Sequence, residues 1–175
     1  MPDFRRKPIR LKPSAYIGQG WYFITVCTFK RRPLFSNARM VVGALEELRR
    51  ACVCHSFDLY AYCFMPDHVH LELVGQAEQS GLTELLRDFK GRCTPLARRL
   101  GIAMLWRKGY FDHVLGPGER ENAAAWYIFM NPVRKNLVRD PRDWPYSGSW
   151  VFDWKRAVAP PEDYVPPWKA SKVAG

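Results

Sequence analysis

Two short segments carry side chains that could do chemistry. In Met65-Pro-Asp-His-Val-His-Leu-Glu-Leu73, His68 and His70 stand two apart. Side chains alternate across a strand, so both imidazoles project from one face while Val69 points the other way, into a core. Two imidazoles on one face, just after a turn, can supply two ligands to a divalent metal ion. The bare pattern also fits plain alternation in a half-exposed strand, which is the commoner case. In Tyr127-Ile-Phe-Met-Asn131 a phenol and a carboxamide stand four apart. On a helix that spacing puts them on one face, a turn from each other. Asn131 could then add a neutral oxygen as third metal ligand, with the Tyr127 hydroxyl close by. Taken singly, Tyr127 also reads as a core aromatic beside Trp126 and Phe129, and Asn131 as a helix end before Pro132. Asp67, Glu72 and Asp112 lie near these segments as candidate bases, and nothing in the spacing singles one out.

The elements that must position these groups follow from periodicity. Trp21 to Phe29 is dense in β-branched and aromatic residues and reads as a buried strand. Ser36 or Asn37 can cap a helix reaching Cys54, with Val41, Val42, Leu45, Leu48 and Cys52 on its apolar face. Asp58 to Met65 and His68 to Val74 read as strands joined at Pro66-Asp67 into a hairpin. A second amphipathic helix follows Gly81, and Tyr110 to Leu115 gives a short fourth strand. A third helix runs from Glu119 to about Asn131, where Pro132 disfavours continuation. This order predicts an α+β fold, a ferredoxin-like antiparallel sheet with helices packed on one face plus an added C-terminal helix carrying the tyrosine. The predicted division is a basic, extended arm over 1–14, one catalytic domain over 15–157, and a Pro-rich, poorly ordered tail over 158–175. Beyond Trp144-Pro145 the pattern is irregular.

Composition narrows the classes. The chain has 175 residues, with 27 Lys and Arg against 17 Asp and Glu, a formal charge of +10. Hydrophobic residues make up 47% and aromatics 14%, enough to bury a core and inconsistent with a mostly disordered chain. No window approaches the roughly 20 apolar residues of a membrane span, and no apolar run follows the basic N-terminus as a secretory signal requires. The five cysteines include no CxxC pair, so Cys27, Cys63 and Cys93 read as small buried hydrophobes in a reducing compartment. A strongly basic, aromatic-rich domain suggests a polyanionic partner.

Together, MPDHVHLEL, GYFDHVL, YIFMNPVRKNLV and DWPYSG resemble the single-tyrosine HUH transposases (IS200-like), and within them the REP-associated tyrosine transposases of bacteria. The resemblance spans about Gly20 to Trp150 with the blocks in family order. It implies cleavage and rejoining of single-stranded DNA beside imperfect palindromic (REP-like) hairpins, through a covalent 5′-phosphotyrosine that leaves a 3′-OH. It also implies that His68 and His70 hold Mg²⁺ or Mn²⁺ with Asn131, that Tyr127 is the nucleophile, and that the protein works in the bacterial cytoplasm at the nucleoid, as a monomer or a homodimer. The alternative is a nucleic-acid-binding domain of the same fold that has lost catalysis. Lys135-Asn136 stands where the family often has Ala-Gly, and Asn tolerates the left-handed geometry required there. His113 reads as a structural hydrogen-bonding residue and His55 as a solvated helix end.

Candidate DNA contacts are Arg5, Arg6, Lys7, Arg10 and Lys12 of the arm, Lys30, Arg31 and Arg32 after the first strand, and Arg87, Lys90 and Arg92 on the second helix. Such cations neutralise phosphates and make binding fall with salt. Trp106 and Tyr110 are candidate stacking surfaces for unpaired bases if exposed, though burial is the commoner fate of such rings.

Overall fold

The alternation and helical periodicity resolve into nine elements in a computed structural model that describes residues 12–120, 122–160 and Val165. The strands are β1 (Trp21–Cys27), β2 (Phe57–Met65), β3 (His68–Gly75), β4 (Phe111–Val114) and β5 (Ser147–Gly148); the helices are α1 (Ala38–Cys54), α2 (Leu82–Arg99), α3 (Asn122–Phe129) and α4 (Asn131–Arg134). The five strands form one sheet in the order β4-β1-β3-β2-β5, antiparallel throughout. The first four strands and two helices give the expected ferredoxin-like arrangement. The β2–β3 hairpin turns at Pro66-Asp67, and the Asn37 side chain caps α1 by accepting from the Arg39 and Met40 amides at 3.0 and 3.4 Å.

The pleat sorts side chains into two cores. Tyr22, Ile24 and Val26 of β1 and Val69, Leu71 and Leu73 of β3 pack with α1 and α2 on one face. Phe23, Ala61, Cys63 and Met65 pack with α3 on the opposite face, together with Trp154. A register shift between Leu59 and Ala61 makes this possible: Leu59 lies in the first core, whereas Ala61 and Cys63 lie in the second. One extra residue in a strand reverses which parity faces which side.

Two sequence expectations change, and a third is refined. The third helix begins at Asn122 rather than Glu119, whose carboxylate is instead turned back to the Gly116 amide at 2.7 Å. Asn131 does not end a helix; it starts α4, where Pro132 occupies a first-turn position that needs no N–H. The segment after Trp144 is irregular but built in: Trp144 Nε1 donates to the Phe64 carbonyl at 3.0 Å, β5 pairs with β2, and Trp154 stacks on Phe129 at 4.2 Å. Asn136 adopts φ +54°, the left-handed geometry expected of it. The arm residues Arg5, Arg6, Lys7 and Arg10 lie outside the described residues, and a 3-10 turn over Pro13–Tyr16 begins where the arm was expected to end.

Candidate active site

His68, His70 and Glu72 point to the α3 side of the sheet because Val69, Leu71 and Leu73 are drawn into the other core. Both imidazoles are buried. His68 Nδ1 lies 2.6 Å from the Asp67 carboxylate, and His70 Nδ1 lies 2.8 Å from the Thr25 hydroxyl. With each Nδ1 occupied, the two Nε2 atoms converge to 3.1 Å. Burial disfavours the charged imidazole and holds the His68 pKa below its ordinary value, although the Asp67 hydrogen bond and charge oppose that shift. Partial burial pushes Asp67 up; the hydrogen bond from His68 and the Arg31 charge outweigh it, and its pKa is lowered.

The helix side brings Tyr127 to this pair. Its ring centroid lies 6.4 Å from that of His70 and 5.6 Å from that of Phe23. The Arg134 guanidinium covers the ring at 4.1 Å and donates to the Tyr127 carbonyl at 2.6 Å. Asn131 is 5% exposed, in α4 against this face, and its carboxamide has no hydrogen-bond partner among the described residues. Glu72 is fully buried on the same sheet face, cross-strand from Phe23.

Two imidazole nitrogens with an amide oxygen make a mixed N,O donor set, which a first-row divalent ion such as Mn²⁺ accepts more readily than harder Mg²⁺, whose preferred ligands are oxygens. Two ligands at right angles, each about 2.1 Å from one octahedral ion, stand about 3.0 Å apart, close to the observed imidazole separation. Among the described residues no group of three or more His, Cys, Asp and Glu side chains could hold a metal ion. Asn131, buried on this face, carries an amide oxygen as a further candidate donor. Asp67, a candidate base from its position, instead orients His68, and Thr25 escapes a reading by spacing because it lies 45 residues from His70 and meets it only through β1–β3 pairing.

The basic residues divide. Lys12, Lys30, Arg32 and Arg87 are exposed. Lys90 is not a free cation of the α2 surface: half-buried, it donates to the carbonyls of Arg107 and Gly109 at 2.7 and 3.0 Å, and burial pulls its pKa down. Arg92 pairs with Asp88 at 2.9 Å, and His55 pairs with the same carboxylate at 3.3 Å rather than standing in solvent. Arg31 pairs with Asp67 at 3.3 Å, which joins the basic turn to the histidine pair. His113 meets Glu119 at 3.1 Å, as a structural partner would. Trp106 packs against Phe35 and Phe89, each at 5.4 Å, and the Tyr110 hydroxyl meets Thr83 at 3.3 Å, so neither ring stands free for stacking. Asp112 faces away from the histidines and accepts from Tyr16 at 2.7 Å, which removes it as a base for this site. Burial pushes the thiols of Cys52 and Cys63 up to about 12, as inert core residues.

Comparison with known proteins gives the family and the fold. The family model described as "Transposase IS200 like" matches residues 17–130. The REP-associated tyrosine transposase of Escherichia coli (strain K12) is 24% identical over 149 residues, covering 79% of this chain and 87% of its own. A Haemophilus influenzae protein is 25% identical over 160 residues, covering 83% of this chain and 87% of its own. A solved REP-associated tyrosine transposase bound to a REP hairpin superposes with a TM-score of 0.67 at 23% identity, covering 94% of this chain and 92% of that one, and so shares its fold.

Proposed function

The chain belongs to the IS200-like transposase family, and from that premise we propose that it cleaves and rejoins single-stranded DNA beside palindromic, REP-like hairpins through a covalent 5′-phosphotyrosine on Tyr127. The observation that carries this reading is the convergence of the His68 and His70 Nε2 atoms, 3.1 Å apart, with the Tyr127 ring over the same face.

His68, His70 and Asn131 would hold Mg²⁺ or Mn²⁺. When bound, such an ion polarises a phosphodiester and offsets charge developing on it. The Tyr127 oxygen attacks phosphorus and loses its proton, the bond from phosphorus to the 3′ oxygen breaks, and that oxygen takes up a proton to leave a 3′-OH. Ester energy is kept in the phosphotyrosine, so reversal by another 3′-OH rejoins strands without a nucleotide cofactor. A free phenol ionises only near pH 10, so orientation must contribute much of the activation. Phe23 on one side and Arg134 on the other fix the ring. Asp67 and Thr25 keep each imidazole turned with Nε2 inward. The described residues contain no helix long and apolar enough to cross a membrane, and the proposed place of action is the bacterial nucleoid.

The test is incubation with Mn²⁺ and a labelled single-stranded oligonucleotide carrying a hairpin. A denaturation-resistant protein–DNA adduct is expected, absent in Tyr127→Phe and absent with chelator. An undiminished adduct in Tyr127→Phe would overturn the nucleophile. Hairpin binding without any adduct in the unaltered protein would favour a domain that binds DNA and does not cut it.

A further inference from the structure

One exposed aromatic side chain lies on the face of the catalytic pair. Phe111 begins β4 and pairs with Thr25 of β1, which pairs in turn with His70 of β3. Residues directly opposite in a sheet share a face, so Phe111, Thr25 and His70 form one row across three strands. Two strand spacings place Phe111 roughly 10 Å from His70 along that row. The ring is 46% exposed.

A lone exposed phenylalanine needs no ligand. This one is set apart by what surrounds it. The Arg107 guanidinium stands 5.5 Å from its ring centroid, and Lys108 is exposed beside it. The backbone carrying both is pinned: the Arg107 amide donates to the Cys27 carbonyl at 2.9 Å, and Lys90 donates to the carbonyls of Arg107 and Gly109. A hollow of about 150 Å³ opens here, lined by Arg107, Lys108, Tyr110, Phe111 and Asp112 among others. A rigid aromatic face with adjoining cations suits a stacked base whose neighbouring phosphates need neutralising.

Resting on the function proposed above, we infer that Phe111 and Arg107 form a stacking platform for one unpaired nucleobase of the single strand next to the scissile phosphate. The base lies on the Phe111 ring, Arg107 contacts the base or its phosphate, and the strand continues along the sheet row toward His70. Every base has a π face, so the platform sets the path of the strand more than its sequence.

Oligonucleotides with a hairpin and a single-stranded tail, carrying 2-aminopurine at successive tail positions, test this in the Tyr127→Phe background. Quenching at one tail position is expected, lost in Phe111→Ala and retained in Phe111→Trp. Phe111→Ala should weaken binding of the tailed hairpin about tenfold and leave a tailless hairpin unaffected. Equal tailed affinity and unchanged quenching in Phe111→Ala, with the unaltered protein still forming its adduct, would overturn the platform and leave the function standing. Failure of the unaltered protein to bind or cut any tailed hairpin would overturn both. Because Phe111 is exposed, an unchanged melting temperature in Phe111→Ala is expected to accompany these results.

Discussion

Tyr127, His68 and His70 each depend on a neighbour that spacing alone did not identify. Arg134 follows Tyr127 by seven residues, so α3 and α4 must break at Met130 and re-form before its guanidinium can cover the ring at 4.1 Å. Asp67 precedes His68 directly and holds its Nδ1 at 2.6 Å, which aims Nε2 at the shared position. Substituting a partner that orients a metal-bound histidine costs about 10- to 100-fold in metal affinity. Asp67→Ala should therefore weaken Mn²⁺ binding by that factor in calorimetry while leaving the circular dichroism spectrum intact. The His-x-His pair was legible because strand alternation is strict. The identity of its supports was not, since one of them, Thr25, comes from a strand distant in sequence.

At the scale of elements, the added helix is the informative case. Five of the eight residues of α3 are buried, Ala124, Ala125, Trp126, Ile128 and Phe129, and none of the eight is charged, so it has no charged face to mark its orientation. It lies between the sheet and the segment after Trp144, where Trp154 stacks on Phe129 and is 4% exposed. Removing a buried indole costs about 3–5 kcal/mol. Trp154→Ala is expected to lose stability on that scale in urea unfolding and to lower adduct yield by loosening the tyrosine helix. That segment read as irregular because its order comes from packing onto α3 rather than from any internal period. The basic turn after β1 shows a related effect. Lys30 and Arg31 have φ of 52° and 56°, left-handed geometry that costs a non-glycine residue about 1–2 kcal/mol. Thr28 secures the turn by sharing its one hydroxyl proton between the carbonyls of Arg32 and Asp67, at 2.7 and 2.9 Å. The strained turn thereby stands beside the histidine pair, with Arg31 on Asp67.

For the whole molecule, the net charge of +10 is partly committed internally. Lys90, Arg92, Arg31 and Arg134 all serve as structural partners, although Arg31 and Arg134 are themselves exposed, as are Lys12, Lys30, Arg32 and Arg87. Binding of a single-stranded tail should fall linearly on a log–log salt plot, and Lys30→Ala should reduce the slope by about 0.7, one phosphate's share. Titrations at several salt concentrations measure this directly. By itself the sequence determined the element order, the hairpin at Pro66-Asp67, the shared face of His68 and His70, and the family resemblance. Those features are local, set by periods of two and 3.6 and by turn residues. Only the tertiary structure decided which cations are held by protein partners, that α3 lies across the sheet from α1 and α2, that Thr25 meets His70 and Arg134 covers Tyr127, and that Phe111 shares a sheet row with His70. Those relations join residues far apart in the chain through β1–β3 pairing, a bulge in β2 and a tryptophan clasp. Local propensity holds no record of such long-range contacts.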